Sequence, residues 1–226
     1  MAAGSGNPEG SFAGNLQAVL ALIARTPERP GRRRLIGIAG PPGSGKTTLA
    51  ADLVARLEAE RPGQAVLLPM DGFHLDNAEL DRRGLRAVKG APQTFDVDGF
   101  VAKVREVAGA GRTCRFPRFD RAEDRTLPDA GLAPADARVV VIEGNYLLLQ
   151  EPGWEALRPL LDATVMLAPP EPVLEARLLL RWQDHGLSPA EALQRARGND
   201  LVNARRVLAA SAPADLRLSA APPAPS

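Results

Sequence analysis

Residues 35–48 read Leu-Ile-Gly-Ile-Ala-Gly-Pro-Pro-Gly-Ser-Gly-Lys-Thr-Thr, an apolar run that passes directly into a glycine-rich turn. Gly40, Pro41, Pro42, Gly43, Ser44, Gly45, Lys46 and Thr47 match G-x-x-x-x-G-K-[ST] at every fixed position, and Leu49, Leu53 and Leu57 then recur on one helix face. Strand, turn and helix in that order give the motif its mechanical meaning. Successive backbone N–H groups must turn inward around a phosphate, along a path that side chains at Gly43 and Gly45 would obstruct. The helix that follows points its unpaired N–H groups and positive dipole end at the same anion. Lys46 is expected to reach the β and γ phosphates as a point charge and Thr47 to ligate magnesium, with Thr48 completing the nucleotide-binding set. The chain has three lysines, Lys46, Lys89 and Lys103, among 28 basic residues, so a sequence that otherwise writes arginine has lysine at this slot.

Outside this segment, short apolar runs at 65–69, 139–142, 163–167 and, more weakly, 215–218 are separated by helical patterns. Continuous runs without polar alternation suit strands buried on both faces of a parallel sheet. Leu16, Val19, Leu20 and Ile23 make one helical stripe, and Phe100, Val104 and Val107 another. Residues 154–161 are a further candidate helix, Pro172 opens one from an allowed first-turn position, and Ser188 with Glu191 has capping-box spacing. The expected fold is α/β, a five-stranded, mostly parallel sheet with helices on both faces. A single domain over 12–219 is expected, between flexible tails at 1–11, which are small and Gly-rich, and 220–226, which are Pro-rich. The basic run at 32–34 reads as a solvated approach to the first strand.

A net charge of +1, from 28 basic and 27 acidic residues, supplies no global field for nucleic acid or an anionic membrane. The lone cysteine, Cys114, cannot form an internal disulfide, and the apolar stretch at 18–24 is too short to span a bilayer. The expectation is a cytoplasmic protein that binds neither nucleic acid nor membrane; a homodimer is left open.

Two of the apolar runs end in acids. Glu143 closes 139–142, where a carboxylate sits beside a phosphate loop and holds magnesium, the alternative being a charge that marks the strand's exit to solvent. Asp71 follows 65–69, and the carboxyl ends of parallel strands line the ligand crevice, so Asp71 is expected to share a cleft with Lys46. There it can accept the proton of an attacking hydroxyl, or it is simply a turn-forming Asp before Gly72. Residues 71–138 are too long for a plain connection and carry Phe73, Phe95, Phe116 and Phe119, as a functional insertion would.

With GPPGSGKT, Met70-Asp-Gly-Phe-His74, Lys89-Gly-Ala-Pro-Gln-Thr-Phe-Asp96, Phe116-Pro-Arg-Phe-Asp120 and Val141-Ile-Glu-Gly-Asn145, the chain resembles the P-loop kinases that include uridine kinase, type I pantothenate kinase and phosphoribulokinase. The resemblance covers roughly 35–210 and extends to bacterial proteins labelled fructose-transport or nucleoside/nucleotide kinases. It implies a P-loop NTPase fold, ATP and Mg2+ as cofactors, a small-molecule hydroxyl as acceptor, Asp71 as catalytic base beside Lys46, and 71–138 as the acceptor-binding insertion. It also implies a lid within 171–210 whose arginines fold over the transferring phosphate. Arg177 and Arg181, four apart on one helix face, are the candidates, the alternative being an ordinary wet face. Arg121-Ala-Glu-Asp-Arg125 stands where uridine kinases usually carry His-Ser-Arg, which argues against a uracil-reading pocket.

His74 and Asn77 are candidates to hydrogen-bond a polyhydroxylated acceptor, and Lys89 and Arg118 to hold an acidic or phosphorylated one, with surface or capping roles as alternatives. Phe95, Phe116 and Phe119 either wall the pocket or form a local core. His185 and Cys114 have no partner that spacing identifies. A regulatory GTPase needs a lysine after Asn or Thr to read guanine, whereas the three lysines follow Gly45, Val88 and Ala102. An ATPase module working on a protein or nucleic acid is the rival reading, although it has no need of the Phe-rich insertion.

Overall fold

The computed structural model describes residues 11–219, so the tails expected at 1–10 and 220–226 lie outside the described residues. Ser11, assigned to a tail from sequence, is instead the N-cap of the first helix, its hydroxyl accepting from Gly14 N at 3.0 Å.

Five strands form one wholly parallel sheet: β1 (Arg34–Ala39), β2 (Ala65–Pro69), β5 (Val139–Gly144), β6 (Ala163–Leu167) and β7 (Leu216–Leu218), in the order β2-β5-β1-β6-β7. Alternate side chains feed two cores. Ile36, Ile38, Val139, Val141 and Val165 pack against α1 (Phe12–Arg25) and α2 (Lys46–Glu60). Leu35, Val140, Ile142 and Met166 face the other way, toward α4 (Val97–Val107) and Tyr146. Burial on both faces is why these strands read as continuous apolar runs.

The connection between β2 and β5 holds a short helix α3 (Asn77–Arg82), then α4, then an antiparallel hairpin of β3 (Cys114–Asp120) and β4 (Arg125–Ala133). The hairpin is absent from the sequence reading because only Cys114 and Phe116 of β3 turn inward and the register shifts between Phe116 and Arg118. After β6 come α5 (Glu171–Asp184), α6 (Pro189–Arg195), a π-helical turn at Ala196–Asp200 and α7 (Leu201–Ala210). Leu174, Leu178, Ala196, Leu201 and Ala204 give this segment a core of its own. Ser188 and Glu191 form the expected capping box.

Two expectations are corrected. The helix expected at 154–161 is a pair of 3-10 turns, Trp154–Ala156 and Arg158–Leu160, because Pro159 has no N–H to continue an α-helical ladder and constrains Arg158. In the basic run, Arg33 is not solvated: it is 1% exposed, and its guanidinium donates to the carbonyls of Val107, Gly109, Arg112, Pro134 and Ala137. Among the described residues no helix is long and apolar enough to cross a membrane.

Candidate active site

The carboxyl ends of β1, β2 and β5 are neighbours, and they open into one cleft of about 800 Å³. β1 delivers the phosphate loop. Gly43 and Gly45 take φ of 77° and 88°, left-handed values that suit glycine, and α2 starts at Lys46 with Gly45 as an N-cap that offers no side chain, the Lys46 N–H making only a long 3.4 Å bond to Ser44 Oγ. Pro42, Gly43, Gly45, Lys46, Thr47 and Thr48 line the cleft. Gly40, Pro41 and Ser44 shape the loop from below: Ser44 is buried, and a Cβ on Gly40 would fall 2.6 Å from Ser44 Oγ.

β5 and β2 deliver the acids. Glu143 pairs in register with Pro69 on one side and with Ile38 on the other, two residues before the loop begins at Gly40. It is 3% exposed, and burial pushes its carboxyl up to about 6 against the pull of the Lys46 ammonium and the Thr47 hydroxyl. Burial likewise lowers the Lys46 pKa, opposed by Glu143 and Asp71. Asp71 lies on the 3-10 turn Met70–Phe73 directly after β2, and that turn is pressed against the hairpin so closely that a Cβ on Gly72 would collide with the Pro117 carbonyl. The same contact brings the hairpin's tip over the cleft, where Arg121 donates to Asp71 Oδ2 at 2.5 Å.

A hydroxyl and a carboxylate are hard oxygen donors, and Thr47 and Glu143 stand together at the mouth of a phosphate-shaped loop. That set fits magnesium, which usually keeps waters and substrate phosphates in its shell rather than a full protein cage. No group of three His, Cys, Asp or Glu side chains that could by itself hold a metal ion occurs among the described residues.

The acceptor-side candidates divide. His74, Lys89 and Phe95 line the cleft. The His74 ring lies 4.1 Å from Phe95 and 4.8 Å from Phe119, and its Nδ1 donates to the Asp71 carbonyl at 2.8 Å. Burial lowers its pKa, so the ring is neutral near pH 7. Lys89 Nζ sits over the Phe119 ring at 5.0 Å and donates to Asp124 Oδ1 at 2.6 Å and Asn77 Oδ1 at 2.8 Å. Asn77 does not line the cleft; it braces Lys89 and Asp124 from behind. Arg118 is exposed on β3 and does not line it either, because the register shift between Phe116 and Arg118 breaks the strand's alternation and turns it away from the face of Cys114 and Phe116. Phe119 is a wall residue, whereas Phe116 belongs to the core.

The two lid arginines have different surroundings. Arg177 Nη1 donates to the carbonyls of Gly43 and Ser44 at 3.1 and 3.2 Å, tying α5 to the back of the phosphate loop. Arg181 is the more buried and points into the cleft among Asp71, Arg121, Arg195 and Asp200. Sequence reasoning had no means of placing Arg121, Arg195 or Asp200, which come from a hairpin tip, the end of a short helix and a π-helical turn. The one clue to Arg121 was its position in the stretch that departs from uridine kinases.

Residues 35–186 match the sequence profile of the phosphoribulokinase / uridine kinase family. The chain belongs to this family. Among proteins similar to it, the Escherichia coli (strain K12) protein YggC is 36% identical over 197 residues, covering 86% of this chain and 81% of that one. The Schizosaccharomyces pombe protein named "Putative uridine kinase C227.14" is 40% identical over 182 residues, covering 76% and 77%. A crystal structure from Silicibacter sp. TM1040, described as a "putative fructose transport system kinase", superposes with a TM-score of 0.82 at 46% identity, over 92% of this chain and 98% of that one. Membership of the phosphoribulokinase / uridine kinase family makes this a P-loop kinase fold, with which the parallel sheet and phosphate loop agree.

Proposed function

We propose that this protein is an ATP-dependent phosphotransferase that moves the γ-phosphate onto a hydroxyl of a small metabolite, a nucleoside, a pantothenate-like acid or a sugar. One observation carries the reading: Lys46, Asp71 and Glu143, from three different strand ends, open on the same cleft, and that cleft continues past them to a wall of His74, Lys89, Phe95 and Phe119. Simple triphosphate capture has no use for that extra space. Residues 71–138 supply the acceptor wall and 171–210 the lid.

In this mechanism the loop N–H groups and Lys46 bind the phosphates. Asp71 accepts the proton of the acceptor hydroxyl as its oxygen bonds to the γ-phosphorus, and the bond to the β–γ bridging oxygen breaks to release ADP. Arg181 stabilises charge on the transferring group, and Arg177 holds the loop. Thr47 and Glu143 would hold magnesium, which when bound would supply neutralisation of the phosphate charge. Most of the acceleration comes from position and preorganised charge.

The test is acceptor-stimulated ADP release across nucleosides, pantothenate-like acids, sugars and sugar phosphates. Stimulation by one class supports the reading. Hydrolysis indifferent to every class favours an ATPase module instead.

A further inference from the structure

The loop that carries Lys89 is held by its backbone from the lid. Asn199 Nδ2 donates to the Lys89 carbonyl at 3.1 Å, and Arg195 donates to the carbonyls of Ala87 at 3.2 Å and Lys89 at 3.4 Å. From the opposite side, the Tyr146 hydroxyl donates to the Gly90 carbonyl at 2.6 Å. Asn199 is itself oriented, its Oδ1 accepting from Asn203 Nδ2 at 3.1 Å, and both asparagines are buried. Buried amides are costly unless every bond is made, so a buried Asn203, Asn199, Lys89 relay is a specified feature. Asn199 lies in the π-helical turn Ala196–Asp200, a distortion that recurs at functional sites because it re-aims side chains. At the other end of the same segment, Arg177 grips the phosphate loop.

We infer that Asn199 is a positioning residue that acts through the Lys89 carbonyl, setting the Lys89 ammonium at the acceptor wall and so coupling the lid to acceptor selection. Lys89 is 13% exposed and ion-paired with Asp124 while this strap holds. If the strap opens, the loop swings and the amine meets solvent. The functional part of this inference rests on the acceptor entering beside Lys89, as in the reading above.

The full chain offers an assay that needs no acceptor. With only three lysines, acylation by acetic anhydride can be followed at Lys46, Lys89 and Lys103 separately by mass spectrometry. Asn199→Asp keeps the shape of the side chain and removes its donor, and should raise the Lys89 acylation rate roughly five- to tenfold, the scale of one lost hydrogen bond, with Lys46 and Lys103 unchanged. Arg197→Ala, which only breaks a surface pair with Glu175, should leave all three rates alone. If Asn199→Asp does not fold, as judged by circular dichroism, Asn203→Ala carries the test, with the same direction and a smaller effect. An unchanged Lys89 rate, or a parallel rise at all three lysines, overturns the inference.

With any acceptor that the wild-type enzyme phosphorylates, Asn199→Asp should raise the acceptor KM about fivefold or more and leave the ATP KM alone. A fall in kcat with both KM values unchanged overturns the coupling to acceptor selection. Failure of the labelling result removes the strap, whereas an acceptor screen without a positive removes the kinase reading, so the two are separable.

Discussion

Arg121, at the tip of the β3–β4 hairpin, donates from Nη2 to Oδ2 of Asp71 at 2.5 Å, although 50 residues separate them along the chain. The pair bridges the insertion and the end of β2 at the point where an acceptor hydroxyl would enter. Arg121 is 54% exposed and Asp71 23%, so the contact is open to exchange: a hydroxyl can take one lone pair of the carboxylate while the guanidinium keeps the other or turns to the substrate.

Asp71→Asn keeps the size of the side chain and the Arg121 contact surface but cannot take a proton. Turnover should fall by roughly 10²–10⁴, the range for a lost general base, while ATP affinity measured by calorimetry stays within about twofold. Unchanged turnover with a cognate acceptor would remove Asp71 from the role.

Arg121→Ala separates function from stability. An exposed pair contributes about 0–1 kcal/mol to folding, so the denaturation midpoint should hardly move. Acceptor kcat/KM should drop about tenfold, because the base loses the cation that orients it. A loss of stability that matches the loss of activity would make the pair structural.

The lid arginines should fail differently. Arg177→Ala frees the Gly43 and Ser44 carbonyls, and the loop loses its shape, so the ATP KM should rise several-fold. Arg181→Ala leaves the loop intact and removes a charge from the transferring group, so kcat should fall by roughly 10² or more at nearly constant ATP KM. Steady-state kinetics with varied ATP distinguishes the two, and identical effects on both parameters would contradict the division of labour.

Local and tertiary signals agree at the sheet, which is why it was legible: the runs 65–69 and 163–167 are strands to the residue, and Lys46, Asp71 and Glu143 were located by lying at strand ends. The hairpin was not, because Arg115 and Arg118 face solvent and the shift near Pro117 breaks the two-residue alternation that announces a strand. Side chains on turns escape for a related reason. No periodicity encodes where Arg121 or Asn199 points, since their directions are set by Gly72 meeting Pro117 and by a π-helical turn. Asn77 and Arg118 were candidates for the acceptor because of the segments they belong to, yet Asn77 is engaged by Lys89 and Asp124, and Arg118 is turned outward past the register shift in β3.

Glu143 gives the ligand-free protein a pH signature. Its folded pKa, near 6, lies above the ordinary value of 4.5, so the protonated form is favoured by folding. The associated stability is present below about pH 4.5 and is lost as pH rises through 6, by up to about 2 kcal/mol for a shift of this size. Chemical denaturation between pH 4.5 and 7 should show that loss in the wild type and not in Glu143→Gln. Magnesium with ATP should reverse the trend, because binding needs the ionised carboxylate. A wild-type-to-variant difference that is flat across this range would contradict the assignment.

The basic run before β1 makes the sharpest stability test, because its members are alike in sequence and opposite in setting. Arg32 is exposed, whereas Arg33 is buried with donors on five carbonyls from the end of α4, the turn after it and the approach to β5. No carboxylate forms a salt bridge with the Arg33 guanidinium among the described residues, so its hydrogen-bond partners are the five oriented carbonyl dipoles, with Asp136 adding longer-range attraction. Arg33→Ala removes every donor at once and leaves buried acceptors unsatisfied, so it should destabilise the fold by about 3–5 kcal/mol or more. Arg33→Lys should rescue little, since three ammonium donors cannot reproduce a planar five-donor fork. Arg32→Ala should fall within about 0.5 kcal/mol of wild type. Urea midpoints for the three variants decide the matter, and near-equal midpoints for Arg32→Ala and Arg33→Ala would mean that the Arg33 carbonyl cluster contributes nothing to the fold.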